Sequence, residues 1–89
     1  MTDGSWYLYW IAVTKRTQAK GIGGTLLKFV EDEIRHHRGR QLLIETSSLP
    51  HYELTRKFYL KHRYEEAAIV PDYYAEADHM VVYRKKLGE

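Results

Sequence analysis

Cysteine is absent from this 89-residue chain. Its absence excludes disulfides, thiolate metal sites and cysteine nucleophiles, and makes a reducing cytoplasm the expected setting. Long apolar runs are missing too. The stretch Trp6–Val13 is too short to span a bilayer, and it has neither the basic flank nor the small-residue cleavage site of a signal peptide. No membrane partner is expected. Charge of one sign is scarce: 14 basic residues against 12 acidic ones leave a net charge of +2, too little to argue for a nucleic-acid partner. Gly-Lys never precedes Ser or Thr, which excludes the Walker A loop and the ATPases and GTPases built on it. His36 and His37 are adjacent on a helix, so their rings point about 100° apart. His51, His62 and His79 show no ligand spacing, and no metal site is expected.

What remains is an ordinary globular composition, 44% hydrophobic and 29% charged. It makes one small domain over residues 1–89, able to bury roughly 60–65% of its unfolded surface. Ten of the twelve aromatics are Tyr or Trp, which suits interfaces and pockets as well as cores. The pattern alternates strand and helix. Trp6–Val13 reads as a buried strand. A helix from about Gly24 to Arg38 follows, with Leu26, Phe29, Val30 and Ile34 on one face and Gly39 as its C′ residue. Gln41–Thr46 is a second strand. Pro50 then opens a helix running to about His62, with Ser47 and Ser48 available as caps. Glu65–Val70 and His79–Lys85 read as paired strands joined by the loop Pro71–Asp78. The expected fold class is α/β: a βαβ unit, then a helix and a β-hairpin, giving a mixed sheet with two helices.

The informative stretch is Gln18-Ala19-Lys20-Gly21-Ile22-Gly23-Gly24-Thr25, between the first strand and the first helix. Glycines without Cβ atoms let backbone N–H groups reach phosphate oxygens, and the helix dipole favours the negative charge. The dinucleotide fingerprint Gly-x-Gly-x-x-Gly begins at Gly21 and Gly23 but has Leu26 in third place, although Glu45 stands where a ribose-binding acid would. A connector with no ligand is a further alternative. The pattern Gln-x-x-Gly-x-Gly after a strand is complete at Gln18, Gly21 and Gly23.

That last arrangement resembles the acetyl-CoA pyrophosphate loop of the GCN5-related N-acetyltransferase (GNAT) superfamily. Thr55–Glu65, with Arg56, Phe58 and Tyr59, resembles the segment written A-R-x-F-Y-x-x-x-G-F-x in that family. Pro71–Tyr74 and Val81–Leu87 resemble its last hairpin. The resemblance covers Trp6 to Leu87 and corresponds to the C-terminal, cofactor-binding portion of the fold. It implies an N-acetyltransferase that transfers acetyl from acetyl-CoA to a primary amine, the acceptor being a small molecule or a peptide. Backbone groups of Ile11, Ala12 and Val13 would hold the pantetheine and polarise the thioester carbonyl. The N–H groups of Ala19, Lys20, Gly21, Ile22, Gly23, Gly24 and Thr25 would take the pyrophosphate beside Gln18. Tyr59 matches the tyrosine that protonates the departing thiolate.

The chain also departs from the family pattern. Tyr7 occupies the position of the usual glutamate base, leaving Tyr7, Tyr9, Glu45, a relayed water or a partner chain as substitutes. Arg63 replaces the helix-ending glycine, at a cost of about 1 kcal/mol if its backbone is left-handed. Tyr52 stands near the position where several members of the family have a cofactor-binding asparagine. The strands and helices that precede the first strand in the family are expected to have no counterpart here, so the Trp6–Val13 edge is expected to be covered, most simply by a second copy in a homodimer and otherwise by a separate chain. A non-catalytic acyl-CoA-binding or dimerisation module is the alternative to an enzyme. Arg35, Arg38 and Arg40 form a basic patch that complements the helix dipole or faces RNA.

Overall fold

A computed structural model describes residues 5–9 and 21–88. Four strands form one sheet: β1 (Ser5–Tyr9), β2 (Gln41–Ser47), β3 (Glu65–Ala75) and β4 (Asp78–Lys86), in the order β1-β2-β4-β3. β1 runs parallel to β2, pairing Ser5 with Gln41 and Tyr9 with Glu45. β4 is antiparallel to both β2 and β3. Two helices, α1 (Ile22–His36) and α2 (Glu53–Lys61), pack on one face, with a 3₁₀ turn at Pro50–Tyr52 ahead of α2. The mixed sheet with two helices matches the expected fold class.

Alternation along the central strands decides which side chains meet the helices. Leu42 and Ile44 of β2 and Val81 and Tyr83 of β4 point to the helical face. There they join Leu27 and Ile34 of α1, Phe58 and Tyr59 of α2, and Tyr64. Each fully buried aliphatic contributes about 1.5–3 kcal/mol.

The inward stripe of α1 is not the expected one. Leu26 and Phe29 are exposed, Phe29 at 62%, while Leu27, Glu31 and Ile34 are buried. Leu27 and Ile34 lie two turns apart, and that spacing brings the carboxylate of Glu31 onto the same face. Its oxygens accept from the Tyr64 hydroxyl at 2.7 Å and from Lys85 Nζ at 3.2 Å. Lys85 also donates to the His62 carbonyl at 3.1 Å.

Both helices end alike. At the first end the N–H groups of Arg38 and Gly39 donate to the Arg35 and Ile34 carbonyls, and at the second those of Arg63 and Tyr64 donate to the Leu60 and Tyr59 carbonyls. These are two Schellman motifs with arginine at C′, at φ +60° for Arg38 and +71° for Arg63. Gly39 is therefore the residue after C′. It is glycine because a Cβ there would stand 2.4 Å from Ile34 Cγ2 and 2.8 Å from Trp6 Nε1.

Two further expectations are corrected. Ser47 and Ser48 cap no helix: the Ser47 hydroxyl donates to Asp78, and Ser48 Oγ accepts from the His79 N–H at 2.9 Å, tying the entry of α2 to β4. Pro71–Ala75 is strand rather than loop, because β3 is an edge strand with two register shifts, where proline's missing N–H breaks no ladder. The hairpin turn shrinks to Glu76–Ala77. Asp72 holds it, accepting from the Ala77 N–H at 2.7 Å.

Candidate active site

The N-terminus of α1 holds the glycines of the Gln18–Thr25 stretch that the structure describes. Gly21 is its N-cap, in the left-handed region at φ +71° and ψ +11°, a conformation that glycine adopts without steric cost. No side chain caps this end, and no acidic residue sits in the first turn. Thr25 turns inward on the helix, its N–H and its hydroxyl both donating to the Gly21 carbonyl at 3.0 Å. The N–H groups of Ile22, Gly23 and Gly24 have no carbonyl to bond within the helix. They point out of its positive end, at the head of fifteen aligned peptides. A helix start without acid or cap, opened by a left-handed glycine, fits a phosphate-bearing group.

The other two glycines serve packing. A Cβ on Gly23 would lie 3.1 Å from Phe58 Cζ, and one on Gly24 would lie 3.3 Å from His62 Cε1. Phe58 of α2 and His62 at its C-terminal end are one turn apart, their rings 4.4 Å apart, so they back the first turn of α1 directly. Burial, followed by the charge of Lys61, lowers the His62 pKa below its ordinary value. A neutral imidazole thus stands beside the helix start at neutral pH.

Tyr59 lies on the next position of α2 and is fully buried. Its ring packs between Tyr64, at 6.1 Å, and Tyr83, at 5.4 Å. The phenol of Tyr83 is pushed up by burial and then by Glu66. Among the predicted site residues, Gly21, Ile22, Gly23, Gly24 and Thr25 are gathered at one helix end. Ile11, Ala12, Val13, Gln18, Ala19 and Lys20 lie outside the described residues.

A second constellation occupies the sheet face opposite the helices. Glu45 is buried on β2 and accepts a hydrogen bond from the Tyr74 hydroxyl. Burial, then Glu45 itself, raises the Tyr74 phenol, with smaller contributions from Tyr7 and Tyr73. Tyr9 is the register partner of Glu45 on β1. Tyr74 carries no local signal in the sequence, since it follows Pro71 in a stretch expected to be a loop and its pairing with Glu45 spans 29 residues. Among the described residues no group of three potential metal ligands occurs, and no helix is long and apolar enough to cross a membrane.

The described elements define an α/β fold in which a glycine-opened helix start meets a mixed sheet. Comparison with solved structures makes the assignment specific. A protein from Desulfovibrio desulfuricans assigned to the GNAT family of acetyltransferases superposes with a TM-score of 0.89 at 36% identity, over 98% of this chain and 55% of that one. A GNAT family acetyltransferase from Elizabethkingia anophelis with acetyl-CoA bound gives 0.75 at 23% identity, over 96% and 63%. The ribosomal-protein-S18-alanine N-acetyltransferase of Escherichia coli gives 0.76 at 22% identity, over 93% and 54%. No protein-family model matches the sequence, and no curated protein does. The chain has the GNAT-superfamily fold, consistent with its C-terminal portion, and spans between half and two thirds of the length of these relatives.

Proposed function

We propose that this chain binds acetyl-CoA through the N-terminus of α1 and serves an N-acetyltransferase acting on a primary amine. The observation that carries the reading is the left-handed Gly21 at the head of an uncapped, acid-free helix start. Bound acetyl-CoA in the relative from Elizabethkingia anophelis supports it. In this reading the N–H groups from Ala19 to Thr25 receive the pyrophosphate beside Gln18, and Ile11, Ala12 and Val13 hold the pantetheine. The bound group supplies a thioester carbonyl open to attack by an amine.

Glu45 is the best-supported base among the candidates, since it is a buried carboxylate whose hydrogen-bond partner, Tyr74, belongs to the adjoining hairpin. It would take the proton that the amine loses. Tyr59 would return a proton to the sulfur as the carbon–sulfur bond breaks, the role that its match to the Phe-Tyr segment implies. Such transfers are each worth about 10²–10⁴ in rate. Tyr59→Phe and Glu45→Gln should therefore each lower turnover at least about 10²-fold with little change in acetyl-CoA affinity. Parent-like turnover in Tyr59→Phe would return that ring to a purely structural role. Acetyl-CoA binding without transfer to any of a panel of amines would favour the non-catalytic module.

We also propose a homodimer through the outer edge of β1. Among the described residues β1 has one strand neighbour, β2, and Tyr7 on it is 41% exposed. A second copy joined at this edge would satisfy its backbone and bury its aromatics.

A further inference from the structure

Thr46 lies one residue before the end of β2 and is fully buried. Its Oγ1 has no hydrogen-bond partner among the described residues. Alternation places it on the helical face: Leu42 and Ile44 precede it there at two-residue spacing, and its register partner, Val81, belongs to the same core. Glu45, the residue before it, points to the opposite face. Arg56 of α2 donates to the Ser47 carbonyl at 2.7 Å and to the Leu49 carbonyl at 2.8 Å, which pins α2 over the end of β2. One turn along α2 from Arg56 is Tyr59, whose ring lies 5.4 Å from that of Tyr83. Tyr83 in turn is opposite Ile44, the previous strand position on the face of Thr46.

A buried hydroxyl left unmatched is costly, and valine would fill the same volume without that cost. The position therefore suits a group that meets something the fold itself does not supply. β1 and β2 are parallel, so their carboxyl ends share one end of the sheet, the end at which open α/β sheets bind ligands. Thr46 stands at that end, on the face that carries Tyr59. We propose that Thr46 is a cofactor-binding residue whose hydroxyl donates a hydrogen bond to a carbonyl oxygen of the acetyl-pantetheine arm of acetyl-CoA. The proposal rests on the acetyl-CoA reading and adds a side-chain contact near the reacting end of the cofactor. The thioester and the pantetheine amides both offer uncharged carbonyl acceptors, the chemistry a neutral hydroxyl matches.

Thr46→Val removes the hydroxyl and keeps the shape. The melting temperature of the ligand-free variant should not fall below that of the parent, because an unmatched donor has been removed. Calorimetric titration should show acetyl-CoA binding at least about threefold weaker in Thr46→Val, and parent-like binding in Thr46→Ser, which keeps the hydroxyl. Titration with CoA, which lacks the thioester carbonyl, locates the acceptor. A loss confined to acetyl-CoA assigns the thioester, and an equal loss with CoA assigns an amide; either supports the contact. A lower melting temperature in ligand-free Thr46→Val would mean that the hydroxyl is already bonded within the fold. That result, parent-like affinity of Thr46→Val for both ligands, or an equal loss in Thr46→Ser would overturn the contact and leave acetyl-CoA binding in place. No saturable binding by the parent would overturn both.

Discussion

Arg38 and Arg63 hold left-handed backbone at helix ends where glycine would sit without strain. The Schellman hydrogen bonds around each are fully formed, so the surrounding chain imposes the conformation. A non-glycine residue there costs about 1 kcal/mol or slightly more. Arg38→Gly and Arg63→Gly should each raise the melting temperature by roughly 4–8 °C, the shift about 1 kcal/mol produces in a domain of this size. Calorimetric scans check this, and an unchanged or lower midpoint would mean that the arginine side chains contribute more than the strain. His62 makes a second residue-scale prediction. Burial lowers its pKa in the folded state, so the unfolded chain takes up the proton first as pH falls. Stability from this group is therefore level above neutrality and declines as pH drops through about 6.5. Urea unfolding at pH 7.5 and 5.5 should show a smaller loss in His62→Gln than in the parent; equal losses would assign the decline elsewhere.

The elements differ in how much of them the sequence made readable. The glycine loop and the opening of α1 were legible because their signal is local: a strand, Gly21, and an apolar helix in consecutive residues. The inward face of α1 was not, since burying Glu31 makes sense only with Lys85 and Tyr64, which are 54 and 33 residues away. Proline at position 71 suggested a loop, and only its place on an edge strand makes it tolerable there. For the same reason the Glu45–Tyr74 contact, made across the sheet, could not be read from spacing. The Glu31 network fastens α1 to β4 and to the end of α2. Glu31→Ala would strand a partly buried Lys85 and the Tyr64 hydroxyl, and should destabilise the fold by about 3 kcal/mol. Replacing both ions, as Glu31→Leu with Lys85→Met, should cost less than Glu31→Ala alone. Denaturant melts of the three proteins check the ordering, and a double variant worse than the single one would show that the pair itself is net stabilising.

At the scale of the whole molecule, β1 and β3 are the outer strands of the described sheet, and they differ in character. β3 carries Pro71 and register shifts that discourage further pairing, whereas the described part of β1 is regular and aromatic. Light scattering at low micromolar concentration should therefore report a dimer; a stable monomer would remove the proposed β1 contact. The proposed anion site at the head of α1 is central to the function. A charge placed there is a sharper probe than a bulky residue, because any side chain at Gly23 would press on Phe58. Thr25 is exposed, and a carboxylate about 5 Å from a phosphate in a half-solvated setting opposes it by roughly 1.4 kcal/mol, or tenfold in affinity. Calorimetric titration of acetyl-CoA into the parent and into Thr25→Glu is the direct test. The expected result is saturable binding by the parent and at least tenfold weaker binding by a variant with an unchanged melting temperature. No binding by the parent, or equal affinity in the two, would contradict it.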